Sequence, residues 1–308
     1  MKISIYGTGG IGGYLAGKLG PLLESPDSGL SSLSFVARGP HLEAIRDRGL
    51  RFIDAEGESR QVHPTAVSDE PADLPSADVI FLCVKGYDLD SSVDVLAPFI
   101  DEETLLIPLL NGVDIYERVR ERLDTGIVLP GAIYISSAIT GAGTVQHKGG
   151  KGLVILGKGH GRDAVKPEPL LRVFEGAGIP YRWHDDPFPA IWSKFLFISP
   201  FSLAGAATGR SLGELLDDPK TSTDLRSMVE EVAAVARAKG ISLPKDAAES
   251  TMNTGRAFPP ETKTSFQRDV EAHKEKDERE LFGAAVLKLA SELGVETPVL
   301  ARYYESLS

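Results

Sequence analysis

The sequence predicts an α/β domain built on a parallel sheet, followed by a domain made only of helices. Short, continuous apolar runs alternate with helical stretches through the first half, a pattern typical of parallel strands buried on both faces. From about residue 186 the strand-like runs stop and longer stretches with helical spacing follow. The segment WHDDPFP (183–189) carries two prolines and two aspartates and interrupts both patterns. The predicted domains are therefore residues 1–185 and 186–308.

The strands predicted in the first domain are, in chain order, residues 2–7, 33–38, 77–85 and 103–112, with later runs at 126–140 and 151–158. Residues 41–50 predict a helix, because Leu42 and Ile45 are spaced for one face and Gly49 can close it. A polar, hairpin-like section precedes the third strand.

The second domain contains two clear amphipathic stretches. The first ends at Gly240, and its apolar face consists of Leu225, Met228, Val229, Val232 and Ala236. The second stops at Gly294, and Pro298 opens a last helix. Between them, residues 268–280 (RDVEAHKEKDERE) are polar almost all round. We interpret the run EAHKEKDERE (271–280) as a solvated helix face with charged neighbours of mixed sign.

Composition excludes several classes of protein. A chain of 308 residues with 42% hydrophobic and 25% charged residues is typical of a globular protein. A net charge of −11 argues against a nucleic-acid-binding surface, although a small site can still be locally basic. Cys83 is the one cysteine, so no disulfide within the chain is possible. The six histidines lack metal-ligand spacing, so no metal site is predicted.

The expected location is the cytoplasm, without a membrane partner. The chain enters a strand almost at once, which leaves no room for a signal peptide. We also expect no membrane span, since no uninterrupted apolar run reaches about 18 residues.

A glycine-rich turn follows the first strand. Gly7, Gly9 and Gly12 form G-x-G-x-x-G, and Gly10 and Ile11 lie between the last two. The first glycine permits a tight turn, the second lets backbone N–H groups approach a pyrophosphate, and the third allows close packing of helix on strand. This context predicts a Rossmann-type dinucleotide site, and a glycine turn without a ligand is the alternative.

The end of the second strand indicates which dinucleotide. An NAD site would place a carboxylate there for the ribose 2′-hydroxyl, but this strand ends on Arg38 and the next carboxylate is Glu43. A guanidinium suits a 2′-phosphate, so NADPH/NADP is the predicted cofactor. The alternative is that Arg38 is an ordinary surface arginine.

Two more polar residues follow strands. Lys85 ends the third predicted strand, and Asn111 follows the fourth in an Asn-Gly pair. Ligands of open parallel sheets bind beyond these carboxyl ends, so both are candidates for the cofactor site. A solvated strand end and an ordinary turn are the respective alternatives.

The stretch AIWSKFLFISPFSLAG (190–205) places Lys194 in an apolar helix. Such a helix is buried, so the lysine must lie near a cavity, pair with a distant residue or extend to the solvent. An ammonium in a cleft could bind a keto oxygen and deliver a proton as hydride arrives at the carbon, which makes Lys194 the candidate general acid.

The glycine turn, the VK strand end, LLNG and WSKF, in that order, resemble the ketopantoate reductase (2-dehydropantoate 2-reductase) family. The resemblance extends over essentially the whole chain and implies an NADPH-dependent enzyme of pantothenate biosynthesis, with a Rossmann domain followed by a helical domain. It implies that Lys194 is catalytic and that Lys85 and Asn111 lie beside the cofactor. It also implies substrate contacts from Asn111, Ser202, Ser265 and Asp277.

The chain departs from the family pattern around the substrate. Ile198 and Ser202 stand four and eight residues after Lys194, where the family usually has asparagines. Thr262 replaces another asparagine, and Asp277 replaces a glutamate. The reaction type is therefore better specified than the substrate, because a polar substrate loses hydrogen-bonding partners at these positions.

Three classes of function stay open at this point. The first is NADPH-dependent reduction of a small 2-keto acid, with ketopantoate first. The second is the same reaction on a less hydroxylated keto acid, which Ile198 and Thr262 would suit. The third is a catalytically silent NADP-binding sensor or interaction protein, which would need only the glycine turn and Arg38. The helical domain could also support a homodimer, although the sequence identifies no exposed apolar stripe.

Overall fold

A computed structural model describes residues 1–307, which divide into two compact units. The first unit comprises residues 1–110 and 115–187, and the second comprises residues 188–307 together with the short stretch 111–114. Asn111 thus follows a strand of the first unit in sequence but packs with the second unit.

The strands all belong to the first unit. They are β1 (Lys2–Tyr6), β2 (Ser32–Val36), β3 (Leu50–Ile53), β4 (Ser59–Val62), β5 (Ala66–Ser68), β6 (Val79–Leu82), β7 (Leu105–Pro108), β8 (Ile127–Val128), β9 (Gly131–Gly141), β10 (Thr144–Gly157) and β11 (Tyr181–His184). A six-stranded sheet has the order β5-β2-β1-β6-β7-β8, and every neighbouring pair in it is parallel. The predicted parallel sheet is confirmed.

A second, mixed sheet was not predicted. Its path is β11-β10-β3-β4, with β9 paired antiparallel to β10. The apolar runs after residue 126 were predicted to be strands, but no partner strand was assigned to them. The parallel pairing of β10 with β3 joins segments about ninety residues apart, and neither segment has a local signal for that pairing.

The helices of the first unit are α1 (Gly10–Leu19), α2 (Gly39–Arg48), α3 (Leu89–Leu96), α4 (Ile115–Arg120) and α5 (Glu168–Gly176). Helix α1 packs against both β1 and strands of the second sheet. Side chains of that sheet fill the space where Gly13 and Gly17 would carry a Cβ, namely Val145 and Phe52. Glycine in α1 therefore lets the helix approach the sheet closely, which outweighs its low helix propensity.

Asp163 is a buried carboxylate that ties three segments of the first unit together. It is only 1% exposed, and it accepts hydrogen bonds from the Arg120 guanidinium at 2.7 and 2.8 Å. The Tyr116 hydroxyl and the Val128 backbone N–H donate to it at 2.7 and 2.9 Å. Burial and this carboxylate raise the pKa of Tyr116 to about 12.

Cys83 lies directly after β6, and its backbone N–H donates to the Tyr6 carbonyl. The side chain is buried in the core, and burial raises the pKa of the thiol. Because the thiolate is the nucleophile, a buried thiol with a raised pKa is suited to packing in the core and not to covalent chemistry.

The second unit contains α6 (Phe188–Thr208), α7 (Leu212–Asp217), α8 (Pro219–Ala238), α9 (Ala247–Arg256), α10 (Ser265–Glu271), α11 (Ala285–Leu293) and α12 (Pro298–Glu305). The predicted apolar face of α8 is confirmed, since all five of its residues are fully buried. The predicted stops at Gly240 and Gly294 and the predicted start at Pro298 are also confirmed, both glycines having positive φ.

Helix α6 corrects one expectation. Its 21 residues are long and apolar enough to cross a membrane by length and composition, although no such segment was expected. In the sequence, Lys194 and several small polar residues interrupt the apolar run, so the length of this helix was not recognised. Most of its apolar window is buried within the protein, and α6 packs against α8, α9 and α10, as expected of a core helix.

The predicted helix over residues 271–280 is wrong. Helix α10 ends at Glu271, and His273 has a φ of 48°. Asp277 and Arg279 form a two-pronged ion pair, with contacts of 2.8 to 3.2 Å. Residues two apart point to different sides of a helix, so this pair requires an irregular backbone.

Candidate functional site

The glycine-rich turn lies between β1 and α1. Gly7 has a φ of 93°, and a Cβ there would lie 2.9 Å from the Cys83 carbonyl oxygen. A Cβ on Gly12 would collide with the Gly7 carbonyl, whereas one on Gly9 would meet nothing within 4 Å. The first and third glycines are therefore needed for close backbone packing. The second faces open space, as a phosphate-binding turn requires.

The N-terminus of α1 is suited to an anion. Gly9 caps the helix without a side-chain hydrogen bond, and the first turn contains no acidic residue. Gly10 packs against the backbone of Ser137, and Ile11 packs partly buried against the core. The positive end of the helix dipole at Gly9 is thus uncompensated by side chains, which favours a phosphate group.

Arg38 is exposed and lies two residues after β2, at the N-cap of α2. The last residue of that strand, Val36, accepts hydrogen bonds from the backbone N–H groups of Gly7 and Thr8 at 3.1 and 3.2 Å. The turn and the β2 end are therefore joined. Lys85 is half-buried and precedes a short 3₁₀ turn after β6. These residues fit a dinucleotide that carries a 2′-phosphate.

Lys194 lies on α6, within the second unit. Its ammonium donates a hydrogen bond of 2.7 Å to the Asn111 side-chain oxygen. Burial lowers the pKa of Lys194 to about 8, and the negative charge of Glu278 opposes that shift. The structure therefore brings two predicted site residues together, and it gives the lysine a proton that is easier to release than usual.

Glu278 was missed in the sequence as a candidate site residue. It is only 4% exposed and interacts electrostatically with Lys194. The Asp277 carboxylate is instead held by Arg279, which lowers the pKa of Asp277. A buried acid in an otherwise exposed charged run leaves no periodic signal.

The two predicted serines differ in environment. Ser202 is buried on α6, and within residues 1–307 its hydroxyl has no hydrogen-bond partner. An unpaired buried hydroxyl costs about 1–3 kcal/mol, so a ligand oxygen there would be favourable. Ser265 is exposed at the start of α10, next to Thr264, whose side chain caps that helix.

The neighbours of Lys194 along α6 are apolar and aromatic. Ile198 is half-buried one turn further on. The Phe197 ring stacks on that of Phe258, with centroids 5.2 Å apart, and it also contacts Phe201 at 4.5 Å. This surface offers dispersion contacts rather than hydrogen bonds to the part of a ligand beside it.

Comparison with known proteins identifies relatives over almost the whole chain. The family model for ketopantoate reductase PanE/ApbA matches residues 3–161, and the model for its C-terminal domain matches residues 188–308. The 2-dehydropantoate 2-reductase of Mesorhizobium japonicum is 29% identical over 291 residues, covering 88% of this chain and 86% of the relative. An uncharacterized oxidoreductase of Bacillus subtilis, YkpB, is 27% identical and covers 100% and 98% of the two chains.

A solved structure shows the same architecture. The 2-dehydropantoate 2-reductase of Porphyromonas gingivalis is 30% identical and superimposes with a TM-score of 0.84, covering 100% of this chain and 99% of the other. The two family models together span far more than half of the sequence, and they follow the same order of sheet and helical regions. The chain therefore belongs to the ketopantoate reductase PanE/ApbA family.

Proposed function

We propose that the protein is an NADPH-dependent reductase of a small 2-keto acid, with 2-dehydropantoate as the first candidate and pantoate as its product. The observation that carries this proposal is the environment of Lys194. An ammonium with a pKa near 8, bound to Asn111 in an apolar helix, is an uncommon and costly arrangement for a purely structural lysine.

The proposed reaction uses these residues as follows. Bound NADPH supplies the hydride that reduces the keto carbon. The Lys194 ammonium hydrogen-bonds the keto oxygen, stabilises the negative charge that develops on it and donates the proton that completes the hydroxyl group. Asn111 orients the ammonium, and Glu278 favours its protonated form. One keto acid, one hydride and one proton give one hydroxy acid.

This assignment predicts how activity depends on pH. Only the protonated lysine donates, so kcat/KM for reduction should be full below pH 8 and fall as the pH rises through about 8. Glu278→Gln should move this decline to lower pH, because the carboxylate raises the pKa of Lys194. Initial rates from pH 6 to 10 provide the measurement.

The matched control is Glu280→Gln, since Glu280 is exposed two residues further on. This variant should keep the wild-type profile. A wild-type rate that stays level to pH 10, or an unchanged profile in Glu278→Gln, would contradict the assignment.

Arg38 supports NADPH as the preferred cofactor, because the β2 end offers a guanidinium and no carboxylate. Arg38→Ala should raise the KM for NADPH by about ten- to a hundredfold, since charge-assisted hydrogen bonds contribute about 1.5–3 kcal/mol. The KM for NADH should change little. Steady-state rates with both cofactors test this, and equal changes in the two KM values would refute it.

The substrate itself is the open part of the proposal. Ile198 and the stacked Phe197–Phe258 pair favour a less hydroxylated keto acid than ketopantoate, whereas the unpaired Ser202 hydroxyl favours a polar group. The test follows NADPH oxidation at 340 nm with ketopantoate, 2-oxobutanoate, 2-oxo-3-methylbutanoate and phenylpyruvate. A higher kcat/KM for an apolar keto acid would select the alternative substrate.

A catalytically silent NADP-binding sensor is the remaining candidate. A sensor would not require the hydrogen bond between Lys194 and Asn111. The presence of this pair therefore argues against a sensor. Tight NADPH binding without turnover of any keto acid in the panel would favour the sensor. The homodimer and the cytoplasmic location stay predictions, and analytical ultracentrifugation and cell fractionation would check them.

A further inference from the structure

His41 on α2 has no role in the function described so far, yet its ring connects two distant segments of the first unit. Its Nε2 atom lies 3.0 Å from the carbonyl oxygen of Thr8, inside the glycine-rich turn. Its Nδ1 atom lies 3.0 Å from the backbone nitrogen of Gly143, in the turn between β9 and β10.

These two contacts define the state of the ring. The backbone N–H of Gly143 can only donate, so Nδ1 must accept and carries no proton. Nε2 then carries the proton and donates it to the Thr8 carbonyl. Only a neutral imidazole satisfies both contacts, because a second proton on Nδ1 would oppose the Gly143 N–H. Burial lowers the pKa of His41, although the Thr8 carbonyl partly opposes this shift.

The hydrogen bond from His41 completes the restraint of Thr8. The Thr8 backbone N–H and hydroxyl both donate to the Val36 carbonyl, at 3.2 and 3.4 Å, and the residue is only 3% exposed. In a planar trans peptide the carbonyl and the next N–H point in opposite directions. With its carbonyl held by His41, the Thr8–Gly9 peptide therefore directs the Gly9 N–H away from the ring.

The glycine-rich turn and residues 141–144 contain no ionisable side chain. On its own helix and at the N-cap of that helix the charged residues are Arg38, Glu43, Arg46, Asp47 and Arg48, and the last of these donates to the Ala142 carbonyl at 3.0 Å.

We propose that neutral His41 is a positioning residue for the cofactor, holding the Thr8–Gly9 peptide so that its N–H is presented to the pyrophosphate. The proposal rests on the proposed use of NADPH. Protonation of the ring should release the Gly143 contact and loosen the turn. Cofactor binding should then weaken as the pH falls below the ordinary pKa of histidine, about 6.5.

Two substitutions separate positioning from general stability. His41→Gln keeps one amide donor for Thr8 and one oxygen acceptor for Gly143, and it cannot titrate. His41→Leu keeps the bulk and loses both hydrogen bonds. His63→Leu, at an exposed histidine outside the site, is the matched control. Circular dichroism should show that all three variants are folded.

The measurement is the Kd for NADPH from fluorescence titration between pH 5.5 and 8. His41→Leu should raise this Kd by about ten- to a hundredfold at pH 7.5, as expected for two lost hydrogen bonds, with a much smaller change in kcat at saturating NADPH. His41→Gln should stay within about threefold of the wild type and remove the weakening at low pH. A Gln variant as weak as the Leu variant, or one with the wild-type pH dependence, would overturn the proposal.

A second readout needs no cofactor. Nitrogen-15 NMR of the free protein should show His41 neutral at pH 7.5, with Nε2 protonated and Nδ1 bare. The opposite tautomer would overturn the proposal even if NADPH binds. A wild-type protein with this tautomer and no affinity for NADPH would instead refute the proposed function and, with it, the role of His41 toward the cofactor.

Discussion

Replacement of Lys194 by alanine is expected to lower kcat for keto-acid reduction by about 10²–10⁴-fold, the usual contribution of a general acid. The variant loses the ammonium that stabilises the developing alkoxide and provides its proton. The glycine-rich turn and Arg38, which we propose bind NADPH, are not altered. The Kd for NADPH should therefore stay within about twofold of the wild type. Single-turnover kinetics and fluorescence titration measure the two quantities separately.

Lys288→Ala is the matched control, because the Lys288 side chain is 79% exposed on α11. It should leave both kcat and the Kd unchanged. Near-normal turnover by the Lys194 variant would remove this residue from the mechanism. A parallel loss of NADPH affinity would assign Lys194 to cofactor binding instead of proton transfer.

The largest expected effect on stability comes from Asp163→Asn. This substitution removes the negative charge opposite the Arg120 guanidinium, whose side chain is only 19% exposed, and leaves that cation without its partner. Breaking a buried ion pair in this way costs about 3–5 kcal/mol. Urea denaturation at pH 7, followed by circular dichroism, should show that loss in the free energy of unfolding.

Asp185→Asn makes the same chemical change at an exposed pair, in which Lys158 contacts an aspartate side chain that is 83% exposed. Water already solvates this aspartate, so no measurable change is expected. Similar losses in the two variants would show that burial of the Asp163 network does not determine its contribution. At urea concentrations below its denaturation midpoint, the Asp163→Asn variant should reduce the keto acid at a rate close to that of the wild type. The Asp163 network contacts none of the proposed site residues.

The local features of the chain were predictable because each has a signal within a few neighbouring residues. The glycine spacing after β1 requires the observed turn, and the apolar stripe of α8 requires burial. Lys194 was conspicuous for the same reason, since a cation among apolar residues at helical spacing must find a tertiary partner. The parallel sheet followed from the continuous apolar strands.

The partners of those features were not predictable. The mixed sheet pairs segments far apart in sequence, and the neutral ring of His41 depends on Gly143, about a hundred residues away. The buried acid that interacts with Lys194 is Glu278, and it lies in an irregular stretch where a helix was expected.

By itself, the sequence determined the class of fold, the glycine turn and the residue best suited to donate a proton, since these depend on spacing along one element. The tertiary structure alone decided which groups surround that residue. Burial by other segments lowers the pKa of Lys194 to about 8, the charge of Glu278 opposes that shift, and Asn111 accepts a hydrogen bond from the ammonium at 2.7 Å. Burial and charge at one atom depend on residues that are distant in sequence, and no local pattern records them.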